Sequence, residues 1–378
     1  MEEFKPKISI VLPCRNEEQA LGYCLDQIKE VISKNNLSAE VIVSDSSSDR
    51  SPEIAREFEI KLIKHNKVGY GAAYLEGFKH AKGDFLFLAD ADGTYNFNEI
   101  SRFIKYLEQD FDLVIGDRFK GKMDKEAMPW LNRYIGNPFL SFIFRLFFKS
   151  VISDVHCGMR AIKKESLDKI NLRTTGMEFA SEMVIKAVKY KFKIKELPID
   201  YHKRKGDSKL KPLADGWRHL RFMLLYSPLF LFFIPGILLF LVGVFSLSLI
   251  YLDFLVLFGI KFQYHPMFLA SLVTIIGYQL IIFSLFAKTY ATTHLGENNI
   301  FFDKLYKYIN IETGSLIGII LGLVGMIIYF LIFWNWFRSD FGAIQEVKNS
   351  ILALTIIVLG IQTIFSSFML SILGIKEK

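Results

Sequence analysis

Four long windows without Asp, Glu, Lys or Arg limit what this chain can fold into: residues 222–252, 262–287, 313–337 and 349–375. Each exceeds the roughly 20 residues a helix needs to cross a hydrocarbon layer about 30 Å thick. Buried in a soluble protein, four such helices in succession would need far more polar chain around them than residues 229–378 hold, with 8 Lys+Arg and 7 Asp+Glu. Lipid is the solvent that fits, because a helix satisfies its own backbone there. Membrane spans are expected at 229–252, 267–287, 314–336 and 350–374.

Residues 1–228 are of another kind. They carry 38 Lys+Arg and 32 Asp+Glu, enough to coat a water-soluble head. Four spans return the C-terminus to the head's side. The loop with Lys288, Lys304 and Lys307 and the tail with Lys376 and Lys378 share that side, against Lys261, Arg338 and Lys348 opposite. Five short-loop cations against three place the head and the C-terminus in the cytoplasm. The N-terminal apolar run, Ile8 to Leu12, ends at Pro13 and is too short for a signal-peptide core. Cys14, Cys24 and Cys157 have no paired spacing, so reduced thiols are expected, with neither a disulfide framework nor a zinc site.

In the head, short β-branched or aromatic runs alternate with helical stretches. Strands are expected at Ile8 to Leu12, Val41 to Ser44, Ile60 to Ile63, Phe85 to Leu88 and Leu113 to Ile115. Helices are expected over Glu17 to Val31, Ser51 to Phe58, Gly71 to Ala81 and Asn98 to Gln109, the second capped by Ser51 with Pro52 at its first position. The order predicts an α/β doubly wound, mostly parallel sheet, which binds ligands at the carboxyl ends of its strands. Those ends are polar: Pro13 to Glu17, the DSSSD run from Asp45 to Asp49, and Asp90-Ala91-Asp92-Gly93. One such Asp is ordinarily a cap or turn residue, but several on one edge argue for a shared ligand. Asp90 and Asp92, one residue apart after a buried strand, suit Mg²⁺ or Mn²⁺ whose shell is completed by diphosphate oxygens and water.

The head resembles family 2 glycosyltransferases of the GT-A fold, and among them the dolichyl- or polyprenyl-phosphate sugar synthases. The resemblance rests on VLPCRNEE (11–18), SDSSSDRS (44–51), GYGAAYLEGF (69–78), ADADG (89–93), GDRF (116–119), DVHCGMRAI (154–162), GMEFASEMVIKA (176–187) and HKRKGDSKL (202–210). It implies that Pro13, Arg15, Glu17 and Asp45 contact the base and ribose of a nucleotide sugar, and that Asp90 and Asp92 hold the metal on its diphosphate with Thr94 as an additional ligand. It implies that HKRKGDSKL closes over the nucleotide, so that Arg204, Ser208 and Lys209 touch the diphosphate. It also puts Asp154 where relatives with alcohol acceptors keep a catalytic carboxylate. Cys14 and Arg15 stand where the family commonly has an aromatic residue after the Pro. The expected layout is a head at 1–211, an interfacial segment at 212–228 and a membrane domain at 229–378.

Arg118 falls on the same edge, as a bidentate partner for phosphates or in a salt bridge with Asp117 or Asp124. Arg133 sits among Trp130, Tyr134, Phe139, Phe142 and Phe144, either as an acceptor-phosphate ligand on an element resting at the membrane interface or packed against the spans. Asp154 either positions the acceptor or sugar, or caps and pairs with Arg160. His156 reads equally as a core histidine. Glu178 and Glu182 share a helix face with Lys186, so one reaches sugar hydroxyls or Glu182 simply pairs with Lys186.

The expected activity is inverting transfer of a hexose from GDP-mannose, UDP-glucose or UDP-N-acetylglucosamine to a dolichyl or undecaprenyl monophosphate. The surplus of cations between Lys191 and Arg221 adjoins a span, which favours anionic headgroups over nucleic acid as partner. A processive polysaccharide synthase would need a Q-x-x-R-W motif after residue 182, and none is present. A soluble nucleotidyltransferase would need a Gly-rich signature at the first strand. A non-enzymatic lipid-carrier subunit is the alternative from another class. Gly318, Gly322 and Gly325 offer close helix approach, so the last two spans either form the face of a homo-oligomer or serve a partner.

Overall fold

The computed structural model describes residues 5–58, 60–206, 212–254, 256–257, 260–261, 263–294, 311–343 and 345–375. The chain divides into two compact units, Met1–Tyr226 and Ser227–Lys378.

All five expected strands form: β1 (Ile8–Cys14), β2 (Ala39–Asp45), β3 (Lys61–Lys64), β4 (Phe85–Leu88) and β5 (Leu113–Asp117). β1 is buried at all but one position, as a strand covered on both faces requires. It pairs in parallel with β2 on one side and β4 on the other, and β2 pairs in parallel with β3. Two further strands, β6 (Arg160–Lys163) and β7 (Ile194–Pro198), complete the order β3-β2-β1-β4-β6-β5-β7. β6 runs antiparallel to both β4 and β5, while β7 is parallel to β5. With β6 reversed between them, β4 and β5 still run the same way. The carboxyl ends of β1, β2, β4 and β5 therefore lie on one edge of the sheet.

The helices cover the sheet through apolar stripes. α1 (Leu21–Lys34) buries Leu21, Cys24, Leu25, Ile28 and Val31 at helical spacing. It starts four residues later than the sequence pattern predicts, because the Glu17 carbonyl closes a turn by accepting from Ala20 and Leu21. α2 (Ser51–Glu57) differs at its cap: Arg50 occupies that position and Ser51 is already helical. The Ser51 hydroxyl instead accepts from the Glu17 N–H at 2.9 Å, tying α2 to the turn after β1. α3 (Tyr70–Phe78) and α4 (Ile100–Glu108) follow β3 and β4. α5 (Asn137–Phe148), α6 (Lys164–Ile170), α7 (Phe179–Lys189) and α8 (Pro212–Leu225) complete the first unit. α8 belongs to the head: Met223 is buried in its core and His219 bonds Ser181 on α7.

The second unit holds α9 (Ile234–Tyr251), α10 (Tyr264–His294), α11 (Ile311–Arg338) and α12 (Val347–Leu373). With the turn that leads into α9, these give four helices long and apolar enough to cross a membrane, Leu229–Tyr251, Tyr264–Thr293, Ile311–Arg338 and Val347–Leu373. α10 and α12 bond across their seam through Ser271 with Thr355, Tyr278 with Thr363, and Gln362 with Gln279. α11 packs on α12 through glycine. A Cβ at Gly318 would stand 2.6 Å from the Gly360 carbonyl oxygen, and one at Gly360 2.7 Å from the Gly322 nitrogen. Of the three glycines expected to allow close approach, Gly318 and Gly325 are thus engaged within one chain, whereas a Cβ at Gly322 would meet only open space.

Candidate active site

The turns after β1 and β2 are sewn together by short polar side chains. Asn16 N–H donates to the Ser47 hydroxyl at 2.7 Å, and Ser48 N–H donates to Asn16 Oδ1 at 2.8 Å. Glu18 N–H donates to Asp49 and Arg50 N–H donates to Glu18. Asn16 takes a positive φ of 54°, which its short polar side chain tolerates. Asp45 ends β2 fully buried. Its Oδ1 accepts from the Ser47 N–H and hydroxyl, and its Oδ2 is shut from solvent without a partner. Burial pushes the neighbouring Cys14 thiol up to about 12. Pro13 is half-buried and Arg15 exposed on this rim.

After β4, Asp90 and Asp92 stand on either side of buried Ala91. Asp90 Oδ1 is enclosed with no partner, and the nearby Tyr70 hydroxyl favours the charged carboxylate. Burial, then the charge of Asp92, pushes Asp90 up to about 7. Gly158 crowds it so closely that a Cβ there would lie 2.6 Å from Asp90 Oδ2. Asp92 Oδ1 accepts from the Thr94 N–H at 3.1 Å and hydroxyl at 2.6 Å. The Thr94 hydroxyl is thus a brace for Asp92.

The segment after β7 runs over this loop. His202 N–H donates to the Thr94 carbonyl and Lys205 N–H to the Asp92 carbonyl, both at 2.9 Å. Arg204 donates to Asp92 Oδ2 at 2.8 Å and to Glu17 Oε1 at 2.5 Å, joining the turns after β1 and β4 through one guanidinium. Ser208 and Lys209 lie outside the described residues.

At the end of β5, neither sequence alternative for Arg118 or Asp154 describes their partner, because they bond each other. Arg118 Nε donates to Asp154 Oδ2 at 2.7 Å and Nη2 to Oδ1 at 2.8 Å. Arg118 is 7% exposed and Asp154 fully buried, and the guanidinium lies 5.2 Å from the Tyr201 ring centre. Asp117 pairs with Lys120, Asp124 with His202, and Arg160 donates to the carbonyls of Val155, Cys157 and Ala180.

Arg133 lies in a π-helical turn, Asn132–Gly136, over the Tyr134 ring, flanked by exposed Trp130, Tyr134, Phe139 and Phe142. Glu182 is buried, pairs with Lys186 at 2.7 Å, and accepts from Arg173 and Thr174, so it anchors the 173–176 loop. His156 and His219 meet edge to face at 4.4 Å around the Ser181 hydroxyl, held below the usual imidazole range by burial.

Two residues at the site are not singled out by the sequence reading. Tyr70 sits within the GYG run, where its place just after β3 on the ligand edge was the available signal. Ser47 lies in the serine run and bridges Asp45 to Asn16.

A divalent cation fits Asp90 and Asp92. The buried, unpartnered Asp90 oxygen and the upward push from its neighbour both call for positive charge. Among the described residues no group of three His, Cys, Asp or Glu side chains could hold a metal. Two carboxylates one residue apart leave the rest of a hard cation's oxygen shell to substrate and water.

Comparison with known proteins adds two family matches: residues 9–171 to Glycosyl transferase family 2, and residues 285–374 to the Glycosyltransferase family 2 C-terminal transmembrane region. The low-salt glycan biosynthesis hexosyltransferase Agl6 of Haloferax volcanii is 35% identical over 373 residues, 98% of this chain and 90% of that protein. A dolichyl-phosphate hexose transferase of the same organism is 33% identical over 211 residues, 55% of this chain and 89% of that one. Among solved structures, glucosyl-3-phosphoglycerate synthase from Mycobacterium tuberculosis gives a TM-score of 0.47 at 18% identity, covering 59% of this chain and 80% of that chain.

Proposed function

The chain belongs to glycosyl transferase family 2, and we propose on that premise that it moves a hexose from a nucleotide sugar to a polyprenyl monophosphate. It is a glycosyltransferase with an α/β GT-A head followed by four membrane-spanning helices. The observation that carries the finer reading is the gathering of Glu17, Asp45, Asp90 and Asp92 with Arg118 and Arg204 on one sheet edge, in a chain with four apolar helices. The relatives named for hexosyl and dolichyl-phosphate hexose transfer support it.

In this reading Pro13, Arg15, Glu17 and Asp45 receive the nucleoside, the free Asp45 oxygen awaiting a hydroxyl or N–H donor. Mg²⁺ or Mn²⁺, held by Asp90 and Asp92, would supply neutralising charge to the leaving diphosphate. Arg204 and Lys209 bind the same diphosphate. The acceptor phosphate has a second pKa near about 6 and is mostly dianionic at neutral pH, so it attacks without a strong base. The residues' task is to hold two anions together and aim one oxygen at the anomeric carbon. Asp154 fixes the Nε and Nη2 edge of Arg118, and in this reading Arg118 and Arg133 are the cations that receive the acceptor phosphate. A single displacement inverts the anomeric carbon.

The apolar face around Trp130, Tyr134, Phe139 and Phe142, together with residues 212–228, rests at the cytoplasmic surface of the cell membrane in this reading, where a lipid-borne phosphate arrives. The test incubates membranes holding the full chain with radiolabelled GDP-mannose, UDP-glucose or UDP-N-acetylglucosamine and extracts the lipid. One donor should label the lipid phase in a Mg²⁺- or Mn²⁺-dependent manner, and Asp92→Asn should lower that rate by on the order of 10²-fold or more. Lipid left unlabelled by every donor would sink the reading.

A further inference from the structure

Arg204 already has two carboxylate partners inside its own chain. Its Nη1 lies 2.8 Å from Asp92 Oδ2 and its Nη2 2.5 Å from Glu17 Oε1. Asp92 Oδ1 is meanwhile taken up by Thr94. Both Asp92 oxygens are therefore engaged, one of them by a full positive charge, and the site is mostly closed to water, with the Asp92 and Glu17 side chains 9% and 11% exposed.

A divalent cation that coordinates Asp92 Oδ2 competes for that oxygen with the Arg204 guanidinium. The two positive charges would stand a few ångströms apart in a poorly screened site, where their repulsion is large. Each therefore weakens the hold of the other. On the donor-site reading above, the geometry points to Arg204 as an internal cation that competes with the metal for Asp92, so that metal and nucleotide diphosphate bind as a pair.

Three features of the segment that carries Arg204 support the exchange. The Arg204 Nε is buried with no hydrogen-bond partner, so the guanidinium is only partly satisfied where it stands. A diphosphate offers it a second bidentate anion nearby. The segment is pinned by backbone, through the bonds of His202 and Lys205 to the Asp92 loop, so the side chain can change partner while its Cα stays. Gly206, at φ 94°, ends the pinned stretch. Metal alone must strip Arg204 from Asp92 with nothing to receive it, whereas metal with diphosphate supplies the receiver. That difference is a positive coupling between the two ligands.

The test measures Mn²⁺ binding to the full chain in detergent by the electron paramagnetic resonance of free Mn²⁺, alone and with UDP or GDP. Wild type should bind Mn²⁺ weakly alone and more tightly with one nucleotide. Arg204→Met keeps the stem and removes the charge. It should bind Mn²⁺ alone about tenfold more tightly than wild type, equivalent to ~1.4 kcal/mol, and gain less from nucleotide. Arg204→Lys, with one ammonium for two carboxylates, should fall between them. Unchanged or weaker Mn²⁺ binding by Arg204→Met with a retained melting transition would overturn the competition and leave the donor site standing. If that variant does not melt cooperatively, Arg204→Lys decides by the same criterion. Wild type that binds no Mn²⁺ with either nucleotide overturns the donor site and the competition together.

Discussion

A buried guanidinium is tolerable only beside a carboxylate that shares its burial, and Arg118 with Asp154 meets that condition through two parallel bonds. Removing one partner leaves the other charged and dry. Asp154→Ala should cost about 3–5 kcal/mol, read as a large drop in the melting temperature of the detergent-purified chain. The three thiols give a second residue-scale expectation. Burial pushes Cys14, Cys24 and Cys157 each up to about 12, so none should react with a thiol reagent at pH 8 until the protein unfolds, when all three should. Because those values lie above the ordinary thiol value of 9.0, the stability they contribute is intact below pH 9 and is lost as pH rises toward 12. At this scale the sequence discloses residue types but not partners. Arg118 and Asp154 are 36 residues apart and Arg204 is 187 from Glu17, separations that no local spacing reveals.

Elements were legible where their periodicity was undisturbed. Apolar residues dominate the five sequence-expected strands, and the four spans carry long runs without a charged residue. β6 is harder to read: it has four residues, opens with Arg160, closes with Lys163, and pairs antiparallel with both β4 and β5. α8 was legible as a basic approach to the membrane, yet one side of it seats on the head through Met223 and His219, one turn apart. This seating should be acid-sensitive. Burial holds His219 down at about 4 against 6.5, so the neutral ring is undisturbed above pH 6.5 and its seating weakens as pH falls from there toward 4. Hydrogen exchange across 212–225 should lose protection between pH 7 and pH 5, and His219→Gln should flatten that dependence. Protection that is equal at both pH values in wild type would contradict the seating.

For the whole molecule, charge and hydropathy set the expected topology. A cysteine placed at Asp340 should react with a membrane-impermeant maleimide on intact cells, and one at Lys125 only after lysis. The buried native thiols keep that assay clean. Labelling of Lys125→Cys from outside would reverse the orientation. The division into a charge-rich first part and a charge-poor second was visible in composition alone, since apolar helices need no partner to declare themselves in lipid. The packing inside the second unit was not visible, because one glycine pattern serves contact within a chain as well as contact between chains.

The glycine seam has a consequence for any assembly in the bilayer. Gly318 and Gly325 of α11 are pressed on α12, so backbone-to-backbone approach on that side is used up. What α11 still shows to the acyl chains is Leu316, Ile320, Leu323, Ile327 and Phe330, each about half exposed or more. Such a bristling flank can interdigitate with lipid tails or with a neighbour's bulky residues, side chain against side chain.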